Sequence, residues 1–222
     1  MTPFEDLPKD PSLADPLPES PLQLIGRWLS EARAAKFRRN PTAMTFASVA
    51  ADGRPSARMV LCRGYDDKDG FVVFYTDRRS RKGLELEAKS YGAAIFHWDS
   101  LQRQIRLEGP VTLSPDEESD AYFGSRPRLS QIAAWASHQS QSLESRHALL
   151  DKLAAEEQRF ENVPHVPRPP FWGGYRLYIE QAELWVGSEG RAHDRGLWTR
   201  QLKSAADGSW AGGEWTVGRL QP

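Results

Sequence analysis

The spacing of apolar side chains changes near residue 42. Before it, Leu24, Ile25, Trp28, Leu29 and Ala32 recur at three- and four-residue intervals, which places them on one face of a helix. Ser20-Pro21-Leu22-Gln23 reads as a capping box: an N-cap serine, a proline where its missing N–H costs nothing, and a glutamine at the third helical position. The helix is expected to run to about Phe37, because Asn40-Pro41 is a stop signal.

Beyond that point the apolar runs shorten and turn residues separate them. Segments 44–50 and 56–62 flank Asp52-Gly53, a strong hairpin signal, and 71–76 follows the turn residues of 66–70. One helix at about 80–89 interrupts the series before strands at 92–98, 104–108 and 111–113. Ser114-Pro115-Asp116-Glu117 opens another helix, with acids in the first turn where the helix dipole favours them. Residues 143–160 carry Leu149, Leu150 and Leu153 among many charges, the pattern of a surface helix. A stiff connector with four prolines in eight residues, 163–170, precedes strands at 175–179 and 182–185 and a last one at 214–220. Antiparallel strands with few long crossovers point to an α+β fold, mainly β, built as a closed or nearly closed barrel with peripheral helices. The proline- and acid-rich stretch 1–20 reads as a flexible arm, and 21–222 as a single domain.

With 222 residues, 39% hydrophobic and 27% charged, the chain is long enough to bury a substantial core. Its net charge of -1 disfavours a general nucleic-acid or membrane-surface binder, so any anion site must be local. Cys62 is the only cysteine, which excludes an intramolecular disulfide and fits a reducing compartment. No apolar run approaches a membrane span, and a cytoplasmic location is expected.

Local anion chemistry is present in several places. Arg78-Arg79-Ser80-Arg81-Lys82-Gly83 sets four cations around the start of a helix that is already positive at that end, a conflict that a bound phosphate resolves and a solvated basic turn leaves standing. Arg58 and Arg63 bracket one strand at an odd separation, so a regular strand would turn them to opposite faces unless a bulge or subunit boundary intervenes. Tyr122, Arg126, Arg128 and Ser130 put two guanidinium forks, a phenol and a hydroxyl within nine residues; the plainer reading is a charged helix end broken by Pro127. Gly190-Arg191-Ala192-His193-Asp194-Arg195 places a histidine among arginines, company unsuited to a metal, and no metal site is expected. The phosphate-loop, dinucleotide and nucleophile-elbow motifs are absent.

Taken in order, the motifs Arg58-Met-Val-Leu-Cys-Arg63, Phe74-Tyr75-Thr76 with Ser80-Arg81-Lys82, Gln102-Arg103-Gln104, Ser125-Arg126-Pro127-Arg128, Gln139-Ser140, Phe171-Trp172-Gly173-Gly174, Glu183-Leu184-Trp185, Arg191-Ala192-His193-Asp194-Arg195 and Arg219-Leu220-Gln221-Pro222 resemble the pyridoxine 5'-phosphate oxidase family. The resemblance implies an FMN-binding split β-barrel homodimer with the flavin at the subunit interface. It assigns FMN contacts to Arg58, Tyr75, Thr76, Arg81, Lys82, Gln104, Gln139, Ser140, Trp185 and Arg195. It assigns the phosphate of a B6 vitamer to Arg63, Tyr122, Arg126 and Ser130, and places Arg191 and His193 over the pyridine ring as substrate-binding and catalytic residues. The implied chemistry passes a hydride from the substrate to flavin, which O2 reoxidises with release of H2O2. Two departures stand out: Arg63 replaces the family's lysine, and the arm lacks its Arg-x-x-Tyr element. Related split-barrel oxidases of phenazine type turn over other planar compounds, and a binding protein without turnover is the third reading.

Overall fold

The computed structural model describes residues 12–35, 39–206 and 208–222. Helix α1 (Leu22–Ala34) buries Leu22, Ile25, Trp28, Leu29 and Ala32, the face expected from their spacing. Its cap differs from expectation. Pro21 is the N-cap, the Ser20 hydroxyl accepts the Leu22 N–H at 3.3 Å, and Gln23 donates to Asp67 at 3.0 Å instead of reaching back. The helix ends at Ala34; the expected end at Phe37 lies outside the described residues.

Among the described residues ten strands follow: β1 (Ala43–Val49), β2 (Pro55–Leu61), β3 (Gly64–Asp66), β4 (Phe71–Asp77), β5 (Tyr91–Trp98), β6 (Arg103–Leu113), β7 (Trp172–Tyr178), β8 (Gln181–Val186), β9 (Asp194–Ser204) and β10 (Trp210–Arg219). Helices α2 (Arg81–Ala88), α3 (Asp116–Gly124), α4 (Arg128–Ala136) and α5 (Arg146–Arg159) fill the connections. All strand pairs are antiparallel. The sheet runs β10-β9-β8-β6-β5-β1-β2, and a branch carries β7, β4 and β3. β6 makes the branch: Arg103–Glu108 pair with β8, and Val111–Leu113 pair with β7.

Curling brings β2 near β4 without a ladder between them, so the barrel is split along that line. β3 covers only Phe71–Val73 of β4, leaving Tyr75, Thr76 and Asp77 to face the split. The main core joins α1 to the inner sheet face through Phe46, Phe74, Phe96, Trp98, Ile105, Leu107, Leu184 and Trp198. A second cluster, Phe123, Ile132, Phe160, Val166 and Trp172, seats α3 to α5 beside the split.

Several elements depart from the sequence reading. Pro127 does not break a helix but is the N-cap of α4, its ψ of 139° turning the chain into the first turn. α5 starts later than expected, at Arg146, where the Ser145 hydroxyl accepts the Ala148 N–H at 3.0 Å. β9 was not foreseen, and β10 begins at Trp210. The described part of the expected free arm is docked: Leu13 is 5% exposed, its N–H donates to Asp194 at 2.8 Å, and Trp198 Nε1 donates to Pro18 O at 2.8 Å. No helix among the described residues is long and apolar enough to cross a membrane.

Candidate active site

A cavity of about 850 Å³ lies in the split, lined from β2, β4, α2, α3, α4 and the chain after α4. It gathers Arg58, Arg63, Tyr75, Thr76, Arg81, Lys82, Tyr122, Arg126, Ser130, Gln139 and Ser140. The strand-parity conflict between Arg58 and Arg63 disappears within one chain. β2 ends at Leu61, Arg63 lies in the link to β3 with its N–H on Val73 O at 2.8 Å, and neither a bulge nor a subunit boundary is needed.

Of the four cations around residue 80, only Arg81 and Lys82 reach the cavity. Arg79 pairs with Asp77 at 2.9 Å and lies over the Phe171 ring, while the Arg78 N–H bonds Phe171 O. α2 approaches this turn closely because residue 83 is glycine; a Cβ there would fall 1.9 Å from Arg78 O. Lys82 is 6% exposed and donates to Thr76 Oγ1 at 2.9 Å, Ser80 Oγ at 3.0 Å and Gln139 Oε1 at 2.7 Å. All three acceptors are neutral. Burial, with Arg58 adding to it and Asp77 and Glu85 opposing, pushes its pKa down to about 8.

Glu85 lies behind this group. Its carboxylate accepts from Ser48 at 2.6 Å, Ser56 at 2.7 Å, Arg58 at 3.1 Å and Arg81 at 2.8 Å. Burial alone would raise its pKa, but those four donors outweigh it and hold the carboxyl at about 2. Arg58 also donates to the hydroxyls of Ser48 and Ser56. A buried ammonium with only neutral acceptors, beside two arginines that share one carboxylate, is a donor set that fits a phosphate monoester. Ser140, which follows Gln139, has φ of 72°, a backbone cost that a non-glycine residue sustains only where its surroundings fix it.

A second cationic group comes from α3, α4 and the β2–β3 link. Tyr122 stacks on Tyr75 with ring centroids 4.0 Å apart, and Tyr75 lies nearly parallel to Trp172 at 5.5 Å. Arg63 lies over the Tyr122 ring at 5.8 Å, and Arg126 over Trp172 at 4.7 Å. Arg126 Nη1 is buried with no hydrogen-bond partner, a donor left for a ligand. Burial and the neighbouring Arg63 lower its pKa, which Tyr122 opposes. Gln131 bonds the carbonyls of Phe123 and Gly124 at 3.0 and 3.2 Å, fixing α4 against the end of α3 and so Ser130 relative to Tyr122. Arg128 is no part of the cavity: it donates to Val163 O at 2.9 Å and to Phe160 O.

Gln104, Trp185, Arg191, His193 and Arg195 do not line this cavity. They form their own group around the β8–β9 turn. Gln104, Trp185 and Arg195 stand in register across β6, β8 and β9. Trp185 and His193 have ring centroids 4.7 Å apart, and the Ser188 N–H donates to His193 Nδ1 at 3.2 Å, so the neutral ring carries its proton on Nε2. Gly190 and Arg191 have φ of 65° and 60°, a tight left-handed turn that exposes Arg191. Glu183 accepts from Arg195 Nε at 2.9 Å, and Gln221 O accepts from its Nη1 at 2.8 Å. The sequence reading gave no role to Glu85, Trp172 or Glu183. Glu85 was discernible from its spacing of four from Arg81; Trp172 and Glu183 stood inside quoted motifs, without a sign of what they touch.

The chain matches the family model described as pyridoxamine 5'-phosphate oxidase over residues 30–160, and the pyridoxine 5'-phosphate oxidase C-terminal dimerisation region over 172–222. It is 49% identical to a pyridoxine/pyridoxamine 5'-phosphate oxidase of Rubrobacter xylanophilus over 94% of this chain and 88% of that one. A protein of the same name from Burkholderia cenocepacia is 47% identical, over 94% of this chain and 92% of the relative. Among solved structures, PhzG of Burkholderia lata 383 in complex with tetrahydrophenazine-1-carboxylic acid superposes with a TM-score of 0.81 at 32% identity, covering 94% of this chain and 95% of that one. A pyridoxamine 5'-phosphate oxidase-related, FMN-binding protein of Nostoc punctiforme shares the fold, with a TM-score of 0.66 at 17% identity over 90% of this chain and 96% of that one. By two family models and by identity over nearly its whole length, the chain belongs to the pyridoxamine 5'-phosphate oxidase family of FMN-dependent oxidoreductases.

Proposed function

We propose that this protein oxidises pyridoxamine 5'-phosphate or pyridoxine 5'-phosphate to pyridoxal 5'-phosphate, with FMN as cofactor, O2 as acceptor and H2O2 as product; with the amine, water also enters to hydrolyse the imine formed and ammonia leaves. The observation that carries this reading is the pair of cationic groups lining one cavity, the first built on Lys82 and the second on Arg126 with its unpaired Nη1. One group suits the phosphate of the flavin and the other the phosphate of the substrate. Arg58, Arg81 and Lys82 hold the first, with Thr76, Gln139 and Ser140 around it. Arg126, Arg63, Tyr122 and Ser130 hold the second, and the Tyr75–Tyr122–Trp172 stack fixes its orientation.

The β8–β9 group completes the site in a homodimer, where a second copy brings it to the cavity; the matched dimerisation region, which contains that turn, supports this assembly. In that arrangement Gln104, Trp185 and Arg195 contact the flavin, and Arg191 and His193 cover the substrate ring, with His193 Nε2–H available as a donor. FMN, when bound, would supply the redox chemistry, that of a hydride acceptor that O2 reoxidises. The protein's share is to hold that carbon and the flavin in register and to neutralise two phosphates.

A second reading, oxidation of another planar substrate, is favoured by the 32% identity to PhzG and by Arg63 in place of a lysine. Anaerobic mixing of the flavin-loaded protein with pyridoxamine 5'-phosphate separates the two. Bleaching of the flavin, its return with H2O2 on admitting O2, and a far weaker response to unphosphorylated pyridoxamine are expected. An unbleached flavin would transfer the assignment to the second reading or to a binding protein.

A further inference from the structure

Glu85 has no place in the proposed reaction, yet more donors converge on it than a routine surface ion pair attracts. Its side chain is 5% exposed and takes bonds from three elements: Ser48 of β1, Ser56 and Arg58 of β2, and Arg81 one turn earlier on α2. Arg58 and Arg81 are long, flexible side chains on different elements, and this one carboxylate holds both. Arg81, which lines the cavity, uses only Nε for it, so both terminal nitrogens remain available to a ligand. The charges also add up in a specific way. Arg58, Arg81 and protonated Lys82 against Glu85 leave two net positive charges at this wall of the cavity, because Asp77, the other nearby acid, is spent on Arg79 at 2.9 Å. Two positive charges match the dianion of a phosphate monoester.

We infer that Glu85 is a positioning residue for the cofactor phosphate: it presets the two arginines in their binding geometry and trims the wall's charge to that of a phosphate monoester. This rests on the reading that Arg58, Arg81 and Lys82 hold the flavin phosphate. The inference has a sign that simple Coulomb attraction does not share. A carboxylate this close repels a phosphate, so removing its charge should tighten binding if field strength alone mattered. If preset geometry matters more, removing it weakens binding.

The test uses the full-length chain freed of flavin, titrated with FMN and with riboflavin, which lacks the phosphate, while flavin fluorescence is followed. Glu85→Gln is expected to weaken FMN by about 10-fold, the loss of organised charge-assisted bonds, and to leave riboflavin within about twofold. In a background of Arg58→Ala with Arg81→Ala, adding Glu85→Gln should change FMN affinity less than about threefold, since no arginine remains to be held. Unchanged or tighter FMN binding in Glu85→Gln would overturn the inference. So would an equal loss of both flavins, or a full loss in the arginine-free background, because each describes a residue that only supports the fold. Should Glu85→Gln fail to fold, Glu85→Asp keeps the charge and shortens the reach. It should lower the FMN-to-riboflavin preference, and an unchanged preference would overturn the inference equally. Failure of the underlying reading shows separately, in the parent protein: FMN binding no tighter than riboflavin means that no phosphate is held there.

Discussion

Lys82 is 6% exposed and donates three hydrogen bonds, whereas Arg191 is exposed on a turn with two successive positive φ angles. Both belong to a set of cations expected to serve one reaction, but the chain prepares them differently. The cavity wall is tied together by the protein's own contacts: Glu85 ties two arginines, Gln139 accepts from Lys82 and Thr76, and an aromatic stack backs Arg126. Around the β8–β9 turn, Arg195 is anchored by Glu183 and the Gln221 carbonyl, but Arg191 projects outward from its turn. Under the proposed function, preorganisation sits where two phosphates would be desolvated, while the turn's geometry would be left for a second subunit to complete.

The strongest blow to the prepared wall is Arg81→Ala combined with Lys82→Ala. Each charge-assisted contact to a phosphate contributes about 1.5–3 kcal/mol, so their joint loss should weaken FMN by roughly 10²- to 10⁴-fold. The purified double variant should be colourless, as its visible absorbance will show. Full flavin retention would move the phosphate elsewhere and end the contrast between the two regions.

A smaller effect is expected from Arg126→Ala. It should weaken pyridoxamine 5'-phosphate by about 10- to 100-fold, the loss of one charged hydrogen-bond partner, while FMN stays bound. His193→Asn, on the turn, should lower kcat more than it raises KM, because a group presented over the reacting ring acts chiefly in the transition state. Steady-state kinetics on both variants sharpens the comparison. A pure KM effect for His193→Asn, or reduced stability with unchanged substrate affinity for Arg126→Ala, would erase it.

Strand order of burial was legible because β1 and β5 each alternate buried and partly exposed positions, which is the period a sequence displays. β9 was missed because its first residues, Asp194 and Arg195, read as members of a charged cluster, and its pairing partner β10 is mostly exposed. α4 is hidden in the sequence because Pro127 has the look of a breaker, although its fixed φ serves equally well to start a helix. In the site, residue types were readable from motifs, and most expected side chains do meet in one cavity. What joins them was not readable. Glu85 contacts Ser48 and Ser56 only because β1, β2 and α2 converge, and that convergence is a property of the sheet. The docking of Leu13 is of the same kind, since its N–H finds Asp194 more than 180 residues away.

The smallest expected effect is a pH dependence of the prepared wall. Lys82 has its pKa lowered to about 8 in the folded protein, against an ordinary lysine value of 10.5. Between those values the unfolded chain binds the extra proton, so the Lys82 contribution makes the flavin-free protein more stable as pH rises from about 8 toward 10.5. FMN binding runs the other way, because the phosphate needs the charged ammonium: affinity should fall by up to about tenfold per pH unit above pH 8. Cys62, whose burial pushes its thiol up to about 11, opposes the stability trend, since its contribution is lost as pH rises through that value. The difference between the parent protein and Lys82→Met cancels this, as both retain Cys62. Urea unfolding of the two flavin-free proteins from pH 7.5 to 9.5 should therefore show the parent gaining on the variant, while FMN titrations over the same range show the parent losing its affinity advantage. Parallel curves in both measurements would mean that Lys82 keeps its proton throughout, and the wall would then be no more finely poised than the turn.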